Sequence, residues 1–232
     1  HILRMSSLGV LYLKHFRFQK PRAVLRGFLG TGCEYTVDQL IKSIVVCSAN
    51  DSCVALSETI AGSEESFVAR MNSKAAELGC NDTLFANCTG LPKPTQYSCA
   101  RDVALMFKNL IKYENYFNYS KVWLEDFIHP DNRTTSMTNT NKLIKKYSFC
   151  DGGKTGFTNE AGFCLAATAK KDNLRLISVV LGAGSSDVRF ASTVNMFNYG
   201  FANYKNRIVL DKDVTLNDEF TVSGGKKKSF AV

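Results

Sequence analysis

The chain has 232 residues, of which 45% are hydrophobic and 22% are charged. This composition is typical of a globular domain with a sizeable core, and it excludes a disordered or fibrous chain. The net charge of +8 is best interpreted as a solvated basic surface. The alternative interpretation is attraction to an acidic polymer or an anionic membrane surface. We expect no nucleic-acid partner, because the lysines are scattered and neither zinc-finger spacing nor an aromatic RNA-binding signature is present.

The chain has eight cysteines and three histidines, and their spacing limits the metal and redox chemistry that it can carry out. No two cysteines form a C-x-x-C pair, so a zinc site is not expected. Several cysteines lie in apolar runs, as in Val45-Val46-Cys47, and are interpreted as small buried hydrophobic residues. A disulfide framework stays open, although a chain of this length does not need one.

A regular helical pattern begins at Thr36. Thr36 and Gln39 have the spacing of a capping box, and apolar residues at helical intervals then predict a helix that ends at Cys47. Three further helices are predicted, one that starts just after Asn50 and two whose N-caps are Ser63 and Ser98.

The second half of the chain changes character. Residues 125–141 are polar and predict a loop. Three runs then predict strands, at 152–157, 163–169 and 174–181, with a hairpin turn at 170–173. Residues 187–201 return to a helical pattern. Helices followed by antiparallel strands and a closing helix predict an α+β fold with helices packed on an antiparallel sheet.

The pattern of the sequence predicts one large domain followed by the beginning of another. We expect residues 1–204 to form one domain and 205–232 to be the start of a truncated, β-rich domain. No stretch is long and apolar enough to span a membrane, and no signal peptide is visible. Because the chain starts at His1, we expect its true N-terminus to be missing.

Two short motifs carry the chemistry. Ser48-Ala49-Asn50 is an S-x-N triplet between two predicted helices, and Lys154-Thr155-Gly156 is a K-T-G triplet on a predicted strand. Taken singly, the first triplet is better explained as a cap of the following helix and the second as an ordinary edge strand. Their order, their separation of roughly a hundred residues and their settings together match serine penicillin-recognising enzymes.

The sequence around both motifs resembles the low-molecular-mass penicillin-binding D-alanyl-D-alanine carboxypeptidases. Ser48-Ala49-Asn50-Asp51 is similar to the second motif of that family, and residues 151–158 to its third-motif region. The similarity extends over residues 34–201. It implies the penicillin-binding protein or β-lactamase-like serine hydrolase fold, and a serine-type D-Ala-D-Ala carboxypeptidase that needs no metal or organic cofactor.

The resemblance also implies roles for the motif residues. A serine attacks the D-Ala-D-Ala bond and forms an acyl-enzyme that water hydrolyses. Ser48 would relay a proton to the departing D-Ala nitrogen, and Asn50 would bind the substrate amide. Lys154 would supply positive charge near the substrate carboxylate, which Thr155 would also bind. Gly156 would let the substrate lie along the strand edge as an added strand.

The implied partners lie in the cell envelope. They are the pentapeptide stem of peptidoglycan as substrate and β-lactam antibiotics as inhibitors. The implied location is extracytoplasmic, with peripheral membrane association through segments missing from this chain.

The nucleophile motif departs from the family pattern. The best match to S-x-x-K is Ser6-Ser7-Leu8-Gly9, which makes Ser6 the candidate nucleophile position and puts Gly9 where a lysine is expected. Starting from Ser7 puts Val10 there instead. Three explanations stay open: a mistranslated or deleted segment, an inactive relative that binds wall peptide or β-lactam, or a substitute lysine. A β-lactamase-type hydrolase is a third functional hypothesis, although no glutamate is placed to support it.

Overall fold

A computed structural model describes residues 28–207 and three short strands outside that range. The outer strands are β1 (Phe16–Arg17), which pairs with β2 (Glu34–Tyr35), and β8 (Glu219–Thr221), which pairs with β9 (Ser229–Ala231). Both pairs are antiparallel. No helix among the described residues is long and apolar enough to cross a membrane.

Three consecutive helices follow β2, as the sequence predicts. They are α1 (Val37–Cys47), α2 (Asn50–Ala61) and α3 (Glu64–Glu77). The capping box at the start of α1 is confirmed, since Thr36 Oγ1 accepts the Gln39 N–H and the Gln39 side chain accepts the Thr36 N–H. Ser63 caps α3 by accepting the Ser66 N–H at 3.1 Å, so this predicted cap is also confirmed.

The fourth helix starts one residue later than predicted. α4 spans Ala100–Leu110 and its N-cap is Cys99, so the assignment of Ser98 as the cap is wrong. The Ser98 hydroxyl instead lies 2.9 Å from the Thr83 hydroxyl. Two short helices that the pattern does not predict follow, α5 (Tyr116–Ser120) and α6 (Leu143–Lys146), each too short to show a helical period.

The prediction of a loop over residues 125–141 is wrong. This stretch contains the hairpin of β3 (Leu124–Ile128) and β4 (Thr134–Thr138). Inward positions alternate with exposed ones, and Phe127 and Met137 are buried in the core. Because β4 is built from threonine and serine around a single methionine, its composition hides a strand whose inner face is apolar.

The three predicted strands form one antiparallel sheet in the order β5-β6-β7. They are β5 (Cys150–Thr158), β6 (Gly162–Lys171) and β7 (Leu174–Ala183). The closing helix α7 (Ser186–Asn203) packs on β6 and β7. Within the described residues β5 is an edge strand, and Lys154 lies opposite Ala166 of β6.

Two clusters of buried residues make up the core. The first joins α1 and α2 to the β3–β4 hairpin and includes Leu40, Val46 and Phe127. The second joins the sheet to α7 and includes Leu165 and Phe197. The S-x-N triplet lies at the end of α1, beside the first cluster, and the K-T-G triplet lies on β5, in the sheet of the second cluster. A contact between the two triplets therefore joins the two parts of the core.

Candidate functional site

Ser48 lies at the corner between α1 and α2. It is the C-cap of α1 and has left-handed backbone angles, φ 61° and ψ 42°, a conformation that costs a non-glycine residue about 1 kcal/mol. The corner is held because the Ser48 N–H donates to Ile44 O and the Ala49 N–H donates to Ser43 O. The N-cap of α2 is Ala49, without a side-chain cap bond, so the interpretation of Ser48 and Asn50 as mere caps of that helix is wrong.

Lys154 reaches this corner from β5. Its ammonium group donates one hydrogen bond to Ser48 Oγ and another, 2.9 Å long, to the carbonyl of Thr155. The two motifs are 106 residues apart in sequence, and the fold brings them into direct contact. Because Ser48 Oγ accepts from Lys154, its own hydroxyl proton is free to be donated elsewhere.

The surroundings of Lys154 make its ammonium easier to deprotonate. Burial lowers the pKa of Lys154, and the charge of Arg189 acts in the same direction, while only the thiolate forms of Cys53 and Cys47 would oppose the shift. Burial in turn raises the pKa of Cys53 to about 11 and that of Cys47 above its usual value. Both thiols are therefore protonated at neutral pH and provide no counter-charge for the ammonium.

The other predicted site residues lie around this contact. Asn50 is the first residue of α2 and is partly buried. Thr155 is partly buried and Gly156 is exposed on the edge strand. The structure thus brings Ser48 and Lys154 into contact, with Asn50, Thr155 and Gly156 close to them in the chain; the chemical roles of these residues stay predictions.

Arg189 is a buried cation next to the partly buried Lys154, and it was not among the site residues predicted from the sequence. It lies in the first turns of α7 and donates to the carbonyls of Gly156 and Cys164 at 3.2 and 3.1 Å. Its Nε is buried with no hydrogen-bond partner among the described residues. A charged residue inside the apolar pattern of α7 was the available signal, because arginine is seldom buried without a specific partner.

Asp51 ties the S-x-N corner to the segment before β2. Its buried carboxylate accepts the Leu29 N–H at 2.7 Å and the Ser52 N–H at 2.9 Å. The next residue, Gly30, donates its N–H to the Tyr35 hydroxyl at 2.8 Å. The corner is therefore braced through hydrogen bonds with segments that precede it in the chain.

One group among the described residues has the composition of a metal site. The ligand atoms of Asp82, Cys99 and Asp102 all lie within 4.8 Å of one another. The buried Asp102 carboxylate already accepts hydrogen bonds from the Asp82 N–H, from Thr83 Oγ1 and from Arg101. These three bonds account for the position of Asp102 as an anchor at the start of α4.

The cysteines have no disulfide partner. All eight lie within residues 28–207 and are free thiols there. Cys80 and Cys150 are buried and the others are partly buried, which agrees with their interpretation as small apolar residues. The candidate nucleophile Ser6, together with Gly9 and Val10, lies outside the described residues.

Comparisons with known proteins identify what this geometry is similar to. A family model described as D-alanyl-D-alanine carboxypeptidase matches residues 15–185. The D-alanyl-D-alanine carboxypeptidase DacF of Bacillus subtilis is 42% identical over 202 residues, which are 87% of this chain and 51% of that protein. The chain spans about half the length of the curated relatives that it matches.

Solved structures agree with the sequence comparison. The D-alanyl-D-alanine carboxypeptidase DacD from Francisella tularensis has a TM-score of 0.76 and 25% identity, over 90% of this chain and 63% of that one. Penicillin binding protein 6B from Escherichia coli has a TM-score of 0.73 and 33% identity, over 83% of this chain and 60% of that one. These matches confirm both the predicted α+β fold and the resemblance drawn from the two motifs.

Proposed function

We propose, from the premise that this chain belongs to the D-alanyl-D-alanine carboxypeptidase family, that it is the catalytic part of an enzyme that trims peptidoglycan stem peptides. The reaction would remove the terminal D-alanine through a serine acyl-enzyme. The observation that carries the proposal is the hydrogen bond from Lys154 to Ser48. It supports a proton relay that neither triplet can make alone.

The relay follows from the direction of that bond. When the acyl bond forms, the attacking serine loses its hydroxyl proton, the peptide C–N bond breaks and the departing D-alanine nitrogen must receive a proton. Ser48 would donate its hydroxyl proton to that nitrogen and take one from Lys154 Nζ. The proton released by the attacking serine would restore the Lys154 ammonium, so the step is balanced. The lowered pKa of Lys154 supports this step, because it reduces the free energy needed to remove a proton from the ammonium.

Positive charge next to the relay supports recognition of a carboxylate. Lys154 and Arg189 are both held at β5, and the Thr155 hydroxyl is available on the same strand. A terminal carboxylate lying there would be attracted to both cations and would accept a hydrogen bond from Thr155. No metal or organic cofactor is needed for this chemistry.

The wider assignments are part of the same proposal. The enzyme would act outside the cytoplasm, where its substrate lies, with β-lactams as inhibitors and with peripheral membrane association through other segments of the protein. Residues 205–232 would begin a second, β-rich domain. Ser6 is the candidate position of the acylated serine, and Gly9 in place of lysine favours an inactive binding relative as the second candidate function.

The test is intact mass after incubation with penicillin, followed by peptide mapping. We expect one adduct, on Ser6 or Ser7. Lys154→Ala should slow its formation by roughly a hundredfold, the size of effect produced by losing one transition-state donor. Lys108→Ala is the matched control, because Lys108 is exposed on α4, and it should leave the rate unchanged.

Two results would contradict the proposal. An absent adduct in a protein that unfolds cooperatively would rule out the active enzyme, and reversible penicillin binding in that case would establish the inactive relative. An adduct that forms equally fast in Lys154→Ala would show that the Ser48–Lys154 contact has no part in the reaction.

A further inference from the structure

We propose that the short helix α5 closes one half of the outer edge of β5 and thereby restricts the site to peptides that end there. Tyr116 would be the specificity-determining residue. This inference rests on the proposed function, and it adds the reason why a chain terminus is selected over an internal peptide bond.

The outer edge of β5 is occupied at its beginning. In an antiparallel strand, the N–H and C=O of alternate residues point to the same side. The Gly153 N–H donates to the Tyr116 hydroxyl at 3.0 Å, and Ser120 Oγ donates to the carbonyl of Asp151 at 2.8 Å. Both acceptor and donor come from α5, so the Asp151 carbonyl and the Gly153 N–H are already bonded within the protein itself.

The Tyr116 ring that covers this part of the edge is held in place because it is buried. Tyr116 is 7% exposed, and its ring centroid lies 6.0 Å from that of Phe107 and 5.5 Å from that of Phe117. A Cβ placed on Gly152 would be 3.0 Å from Tyr116 Cε1, so the ring also packs against the face of the strand. Because the Tyr116 hydroxyl already bonds the edge N–H of Gly153, a peptide strand has no space beside this part of β5 unless the tyrosine ring is removed.

No segment among the described residues covers the second half of the edge. Gly156 is exposed and Phe157 is 56% exposed. By the same alternation, the N–H of Thr155 and both backbone groups of Phe157 face outward. The open edge accordingly begins beside Lys154, immediately after the position that Tyr116 covers.

Charge sets the direction of an added peptide. A terminal carboxylate is drawn to the Lys154 ammonium, so the C-terminus of the peptide lies at Lys154 and its body runs along Phe157. This peptide is antiparallel to β5. One further residue at its C-terminus would have to pass through the volume of the Tyr116 ring.

Peptide binding to the full chain tests this geometry. The probes are N-acetyl-L-Lys-D-Ala-D-Ala and the same peptide with one added C-terminal glycine, with Kd measured by calorimetry. We expect the added glycine to weaken binding at least tenfold. Tyr116→Ala should reduce that ratio to about twofold, while Tyr116→Phe should preserve it, since the ring remains although the hydroxyl is lost.

Tyr119→Phe is the matched control within the same helix. The Tyr119 hydroxyl donates to Asp38 at 2.7 Å, away from β5, so this variant should keep the wild-type ratio. Tyr116→Leu, which retains more apolar volume, replaces Tyr116→Ala if the alanine variant does not fold.

The outcomes separate this inference from the function on which it rests. Equal affinity of the wild-type chain for both peptides would overturn the inference alone, as would an unchanged ratio in a folded Tyr116→Ala or Tyr116→Leu variant. Failure of both peptides to bind would overturn the proposed substrate class and the inference with it.

Discussion

His129 should make the stability of this protein fall in mild acid. Its side chain is 1% exposed. Arg133 Nη2 faces His129 Nδ1 at 3.2 Å, and because a guanidinium can only donate, Nδ1 is an acceptor. The Tyr35 hydroxyl, 2.9 Å from Nδ1, therefore donates its proton there while it accepts the Gly30 N–H. The ring is thus neutral, with its proton on Nε2 and directed to Thr135 Oγ1 at 2.9 Å.

A second proton on this ring would have to bind at Nδ1, where both neighbours are donors. Burial lowers the pKa of His129, and the Arg133 charge lowers it further, against smaller opposing effects of Asp131 and Asp51. In the unfolded chain the imidazole takes up a proton near pH 6.5. The stabilisation is therefore complete above about pH 6.5 and is lost as the pH falls toward the lower folded-state pKa.

The magnitude follows from linkage. Where the unfolded ring is protonated and the folded ring is not, stability falls by up to about 1.4 kcal/mol for each pH unit. Urea unfolding of the wild type and of His129→Gln between pH 7.5 and 4.5 measures this effect. The carboxylates titrate in both proteins, so their contribution cancels in the difference between the two free energies of unfolding. The stability advantage of the wild type should shrink with acidification. Parallel pH profiles of the two proteins would refute the argument.

Two substitutions test the packing that supports the site. Arg175→Lys should cost about 1–2 kcal/mol in denaturant unfolding, because it removes two 2.8 Å bonds to Asp151 and the stacking on Phe117; a loss below about 0.5 kcal/mol would contradict this. Phe197→Ala should cost about 3–5 kcal/mol, since the ring is 1% exposed in the core. Tyr199→Ala, on the same helix but 64% exposed, should stay within about 0.5 kcal/mol of the wild type, and equal losses in both would argue against the assigned core.

Most of the regular helices and the three-stranded sheet were predictable from local patterns. Thr36 and Gln39 mark the start of α1, and Ser63 marks that of α3, because a cap is formed by residues three apart in sequence. The strands β6 and β7 are largely apolar runs separated by a turn, so they were also recognised. The β3–β4 hairpin was missed because its polar composition conceals an alternation in which only Phe127 and Met137 are fully buried apolar residues.

The two short motifs were also recognised from the sequence, but the contact between them was not. Ser48 and Lys154 are 106 residues apart, and no local pattern specifies a hydrogen bond across that distance. Packing of the hairpin on α1 and of α7 on the sheet determines where the two triplets meet. Arg189 and Tyr116 reach β5 from separate helices. Their contribution depends on burial and on hydrogen bonds to backbone atoms, which exist only once the chain has folded.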